Sequence, residues 1–321
     1  MRLHGDVRGA LRGFGARHRR AITIGCTTIA TAALVAVLAG HRHQFAHAIS
    51  SASIRVLLLA AALQIVALLA RTEAWLGCIQ AAGGTMPRRL LYRASSMAYV
   101  GCLLNAQFGM AARIGALRRS CPADSPAVTT LLTAELPIMA VELLFGAVTS
   151  FTLIGPLGLP WWTPIVVLVA VGAIGFGLRH LALRPGRDLW RGLLVLRSMR
   201  GGRRLLGFVM IAVLAQICRN WALLHAVGVH ASFFDAIAVL IAMSTLSQLP
   251  IGPSVGAGAA VLILGRHGVA AVAAAGILST ATGIAGGLMF AAWAGADRLW
   301  VFSRRPRPVP TPTSSPPRGP A

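Results

Sequence analysis

Leu249-Pro250-Ile251-Gly252-Pro253-Ser254-Val255-Gly256-Ala257-Gly258 interrupts an apolar run from Phe233 to Gly265 whose one charged residue, Asp235, stands near its entrance. Proline lacks an N–H and clashes with the preceding turn, and glycine gives up the most backbone freedom, so this stretch opposes a continuous helix. In hydrocarbon every freed N–H and C=O needs a partner, so such a break requires protein packed around it or a polar cavity beside it. Membrane transporters place substrate at interruptions of this kind. The plainer alternative is a Pro/Gly kink in one spanning helix.

The rest of the chain sets the scale. Of its 321 residues 56% are hydrophobic and 12% charged, with a mean hydropathy of +0.72. A soluble chain carries about twice that charged fraction, and several apolar runs approach the roughly 20 residues that cross a bilayer. The composition predicts an all-α polytopic membrane protein.

The formal net charge is +22. Every basic residue is arginine, and the arginines crowd the ends and the connections between apolar runs. That distribution fits positive-inside topology and anionic lipid headgroups rather than nucleic acid. Cys26, Cys78, Cys102, Cys121 and Cys218 are scattered, odd in number and without a CxxC pair, which suggests neither a disulfide framework nor a metal site. His41, His43 and His47 lack an acidic or thiol partner nearby and read as a loop. No P-loop, HExxH or nucleophile–base pair occurs, so no cofactor and no catalytic residue is expected. Gly201-Gly202 reads as part of a basic loop without a helix cap.

Residues 1–20 form a basic segment. The apolar run Ala21–Gly40 reads as an uncleaved first span rather than a signal peptide, being long for one. Further spans are expected at Val56–Ala70, extending as far as Ala82, and at Ala127–Ile154, Trp162–Leu178, Leu205–Val227 and Val269–Gly295. Arg71 and Glu73 are expected to snorkel to the interface. Residues 296–321 read as a Pro/Arg-rich disordered tail.

Placing the arginine-dense segments in the cytoplasm puts both termini on the cytoplasmic side of the cell membrane. Segment 94–112 then has cytoplasm at both ends, and 233–265 begins and ends outside, so both must dip in and return. The expectation is about six full spans plus two re-entrant hairpins, eight apolar segments in all. Residues 21–154 and 161–295 repeat one order, span, span, hairpin, span, with opposite orientation, as one membrane domain over 21–295.

At the two hairpins the sequence resembles the lysylphosphatidylglycerol synthase transmembrane family, a flippase-like module. The first match runs from Asn105 through Gly109 and Arg113 to Leu117-Arg118-Arg119, with Asn105 where that family has proline. The second is Pro250-Ile-Gly252-Pro253-Ser-Val-Gly256-Ala-Gly258, and Glu135 fits a glutamate of the helix after the first hairpin. The family's acid after the second glycine cluster is Ala259 or Ala260 here, and its last-span arginine is Ser279 or Thr280. The resemblance implies lipid translocation between leaflets. With a proline-rich tail in place of the aminoacyl-transferase domain, lipid aminoacylation is not expected.

A charge at the bilayer centre costs about 3 kcal/mol on insertion scales, so Arg219, Glu135 and Glu142 need an explanation. Gln216, Arg219 and Asn220 share a helix face by their i, i+3, i+4 spacing. Glu135 and Glu142, seven apart, share another, with Pro137 loosening the turn between them. Either Arg219 pairs with a glutamate as a structural clamp, or Arg219 and Arg113 hold a lipid phosphate through guanidinium forks, with Glu135 or Glu142 balancing the empty site. Asn105, Arg118, Gln216 and Asn220 complete the expected lipid-handling set. Gly109, Pro250, Gly252, Pro253, Gly256 and Gly258 are the expected breaks. The reading is a flippase-like protein moving an anionic phospholipid or a polyprenyl-phosphate-linked lipid, with no metal. The alternative is a non-transporting scaffold that partners a cell-envelope or lipid-modifying enzyme. A membrane-embedded transferase is disfavoured by the scarcity of carboxylates for metal binding.

Overall fold

A computed structural model describes residues 42–102, 106–120, 126–183, 188–247, 255–265 and 268–303. The described chain is helical, without a strand. Five stretches are long and apolar enough to cross a membrane: Ile54–Ala81, Val128–Leu157, Thr163–Leu181, Met199–Ala226 and Val269–Gly295. The expected first span at 21–40 and the N-terminal basic segment lie outside the described residues.

In chain order the helices are α1 (Arg42–Ser51), α2 (Ile54–Ala81), α3 (Arg88–Cys102), α4 (Ala106–Ser120), α5 (Val128–Thr133), α6 (Leu136–Thr149), α7 (Ile154–Leu157), α8 (Thr163–Leu183), α9 (Met199–Ala226), α10 (Phe233–Leu246), α11 (Val255–Leu264) and α12 (Val269–Ser303). A 3-10 turn, Ser150–Leu153, joins α6 to α7, and a second 3-10 segment, Asp188–Arg197, precedes α9.

The centre is the crossing of α2 and α9, the most extensive helix pairing in the fold. Ala67 and Ala70 of α2 are buried there against Ala212 and Ala215 of α9. Alanine at these positions lets two backbones approach closely, the usual device where lipid offers no hydrophobic drive. Two larger apolar clusters flank the crossing. One joins Ala60, Leu223, Ala238, Ala259, Ile263 and Val272. The other joins Trp75, Ile79, Leu91, Leu117, Leu131 and Leu205.

Around this centre α3 packs along α4, and α10 packs on α11, which in turn packs on α12. Close approach at α12 depends on missing side chains. A Cβ on Gly256 would come within 2.8 Å of the Gly276 carbonyl oxygen, and one on Gly286 within 2.7 Å of the Ala61 carbonyl oxygen. A Cβ on Gly287 would collide with the Tyr99 ring. The helix α8 buries no residue; it packs on α6 and on the 3-10 segment at one edge.

Several local expectations are corrected. His43 and His47 lie in α1 rather than in a loop. Gly109 is buried inside α4, and Gly256 and Gly258 lie inside α11, so none of the three is a helix break. Glycine costs a helix only about 1 kcal/mol relative to alanine, which packing can offset, whereas proline removes the hydrogen bond outright. Asn105, Pro250, Gly252 and Pro253, the other expected breaks, lie outside the described residues.

The stretch around 201–202 is also not a loop. Gly201 and Gly202 belong to the first turn of α9, capped by Ser198, whose hydroxyl oxygen accepts the Gly201 N–H at 3.2 Å. The expected span Val269–Gly295 is present, and its helix α12 continues to Ser303, so 296–303 is helical rather than part of a disordered tail. As Pro137 suggests, the run from Ala127 divides at Ala134-Glu135 between α5 and α6. Asp235 closes a capping box with Ser232 at the start of α10, which matches an acid to the positive end of the helix.

Candidate functional site

Two polar clusters sit inside the apolar body, and α2 contributes to both. Gln64 and Arg71 are seven residues apart on this helix, so they lie on one side of it, separated by about 10 Å of axial rise.

The first cluster surrounds Arg219. The spacing of Gln216, Arg219 and Asn220 turns all three toward α2 and α12. One Arg219 Nη donates to Gln64 Oε1, and the other donates to Ser279 Oγ at 2.9 Å. Gln216 Nε2 donates to the same Gln64 oxygen at 2.9 Å, and Ser279 Oγ donates to Asn220 Oδ1 at 3.0 Å. Arg219 is 6% exposed, and Gln64, Asn220 and Ser279 are buried with it. Tyr99 of α3 closes the other side: a Cβ on Gly283 would lie 3.0 Å from the Tyr99 hydroxyl and 3.4 Å from an Arg219 Nη.

Every hydrogen-bond partner of Arg219 among the described residues is neutral, and no carboxylate pairs with it there. Its Nε finds no acceptor among the described residues. Beside it is a cavity of about 10 Å³, edged by Asn220, Met243, Gly256, Gly276 and Ser279, which is room for about one water.

The second cluster surrounds Arg113. Its Nη1 donates to Glu135 Oε1 and its Nη2 to Ser95 Oγ at 3.1 Å. The guanidinium carbon sits 3.5 Å from the centre of the Trp75 ring, a cation–π contact. Arg71 donates to Glu142 and lies 3.9 Å from the other Glu135 oxygen. The charges therefore alternate along Arg113, Glu135, Arg71 and Glu142 and sum to zero. Arg113 and Glu135 are both buried, so this ion pair has little competition from water.

The expected site residues are thus divided between two places. Arg219, Gln216 and Asn220 come together in one; Arg113, Glu135 and Glu142 come together in the other. A glutamate clamp is present, but on Arg113 rather than on Arg219. Arg118 lies exposed at the end of α4 with Arg119, where two cations suit the negative end of the helix. Gly256 contributes a close helix contact, and Gly258 faces open space.

Gln64, Ser95, Tyr99 and the inward role of Arg71 were not foreseen. Because α2 continues to Ala81, Arg71 and Glu73 are mid-helix instead of near an end. The signal was present as Gln64 and Arg71, two polar residues at i, i+7 in an otherwise apolar run. Glu73 turns the other way, accepting from Tyr92 and lying 3.5 Å from Arg88. Among the described residues no group of three or more His, Cys, Asp or Glu side chains assembles. No family model, no curated protein and no solved structure matches the chain.

Proposed function

We propose that this chain is a flippase-like membrane protein of the cell membrane, carrying an anionic phospholipid or a polyprenyl-phosphate-linked lipid between leaflets by changing which side its polar core faces. The observation that supports this reading is Arg219: a buried guanidinium whose hydrogen-bond partners among the described residues are one amide, Gln64, and one hydroxyl, Ser279, with no carboxylate. A cation left unneutralised in hydrocarbon is costly, and a phosphate diester supplies the missing charge through a bidentate contact. The neutral amides and hydroxyls around it can release it without leaving a second buried charge behind.

In this reading α3/α4 and α10/α11 are re-entrant hairpins entering from opposite sides, the first from the cytoplasm and the second from outside. The first span at 21–40 completes the set, and both termini are cytoplasmic. The motif resemblance at the two hairpins points the same way. The chain has no catalytic step of its own.

The test is lipid scrambling by the purified protein in vesicles of phosphatidylglycerol and phosphatidylcholine. Arg219→Ala reduces transfer to the rate of empty vesicles. Arg219→Lys, which keeps the charge but not the fork, loses most of it while remaining monodisperse. Unchanged transfer in Arg219→Ala overturns the role.

A second reading, the scaffold, draws on α8, whose stretch from Pro164 to Leu178 is uncharged and has no buried residue. A partner's helix can cover it as well as lipid does. Absence of scrambling by the unaltered protein, with co-purification of an envelope enzyme that depends on the α8 face, selects that reading.

A further inference from the structure

A second cavity lies at the arginine-bearing end of the molecule, away from Arg219. It has a volume of about 520 Å³ and is bounded by the end of α2, the start of α3 and the first turns of α9. That is within the size range of small-ligand sites. Arg88, Arg204, Gln80, Ser198 and Glu73 supply its polar side chains, and Leu205 and Phe208 are among its apolar ones. Arg89, Arg197, Arg200 and Arg203 cluster at the same end of the chain's helices, which the charge distribution places at the cytoplasmic surface.

The charge balance inside the cavity is uneven. Glu73 is its one carboxylate among the described residues, and it is already engaged by Tyr92 and Arg88. The contact with Arg88 is made through Nε at 3.5 Å, so the two Nη groups of that fork have no carboxylate among the described residues. Arg204 meets none either. One matched pair and one unmatched guanidinium therefore share a cavity with an apolar wall. A purely water-borne anion would make no use of that wall, whereas a lipid uses both parts.

We propose that this cavity holds a phosphate group between Arg88 and Arg204, carried by an anionic phospholipid of the cytoplasmic leaflet whose first methylenes lie along Leu205 and Phe208. The site is separate from the Arg219 cluster and does not depend on transport. Lipid bound here ties the start of α3, which follows directly on α2, to the first turns of α9, and so clamps the central crossing from one side.

The experiment is thermal unfolding of the full chain in neutral detergent, followed by tryptophan fluorescence, with three additions: phosphatidylglycerol, phosphatidylcholine and inorganic phosphate. Phosphatidylglycerol raises the unfolding temperature, and the other two do not. In Arg204→Gln the phosphatidylglycerol concentration needed for half the rise increases at least about tenfold, the loss of a charge-assisted contact. Arg204→Lys falls between the two, and Arg119→Gln, at the exposed end of α4, behaves as the unaltered chain. Lipid bound at Arg219 stabilises all these variants equally and cancels in the comparison. The same half-point in Arg204→Gln as in the unaltered protein overturns the proposal. An Arg204-dependent rise with inorganic phosphate alone keeps the phosphate site and transfers it from lipid to a water-borne phosphate.

Discussion

The Arg219 guanidinium donates to the side-chain oxygen of Gln64 across the crossing of α9 and α2. One amide oxygen also accepts from Gln216, so Gln64 is the hub on which the first cluster turns. Two consequences can be separated by the choice of replacement. Gln64→Leu leaves the buried Arg219 Nη and the half-buried Gln216 amide without this acceptor, at about 1–3 kcal/mol for the buried donor, and lowers the unfolding midpoint. An unaltered midpoint shows that the amide is dispensable. Gln64→Glu instead gives Arg219 a carboxylate. Scrambling then falls at least about tenfold, as expected when roughly 1.4 kcal/mol of anion affinity is taken up internally.

Arg113 and Glu135 behave differently, because both are charged and both are buried. Removing one partner strands the other, at about 3–5 kcal/mol. Glu135→Gln and Arg113→Met are each strongly destabilising, and the double variant is much less so than their sum. A double-mutant cycle on unfolding midpoints reads this coupling directly; strict additivity shows that the pair is not the clamp. Glu142→Gln is milder, since that side chain is 30% exposed.

The approach of α11 to α12 admits no side chain at Gly276, where a Cβ would lie 2.6 Å from the backbone nitrogen of Ala257. Backbone cannot step aside as a side chain can, so Gly276→Ala separates the helices and lowers both unfolding temperature and yield. Gly258→Ala, one residue along from Ala257, faces open space and gains up to about 1 kcal/mol of helix propensity. If the two substitutions act alike, the close contact has no energetic weight.

Topology is checked by labelling. With the five native cysteines replaced by serine, a cysteine at Ser254 reacts with a membrane-impermeant maleimide from outside intact cells. A cysteine at Ser120, at the end of α4, reacts only after permeabilisation. Labelling of both from one side contradicts hairpins that enter from opposite faces.

Much of this arrangement was legible in the residues. The five long apolar helices follow from hydropathy, and the i, i+3, i+4 pattern places Gln216, Arg219 and Asn220 on one face before any contact is known. Pro137 marks the division at Glu135. What the sequence left open was partner choice. The ion pair of Arg113 with Glu135, and the approach of Arg71 to both glutamates, depend on how α2, α4 and α6 are brought together, which no local pattern encodes. Glycine is a weak breaker: Gly109 and Gly256 stay helical where burial and packing offset the propensity, and Gly258, which faces open space, costs its helix only about 1 kcal/mol. The cap at Ser198 escaped notice because arginines follow it, an arrangement that works against the helix dipole and so disguises a helix start.

Gln64 and Arg71 ride on a single rod two turns apart. Any roll or tilt of α2 that frees Arg219 from its amide also drags on the ion-paired chain below, so the two polar stations share one lever. Loosening either one slackens its neighbour, and the molecule gains a mechanical link between its halves without any residue spanning the distance.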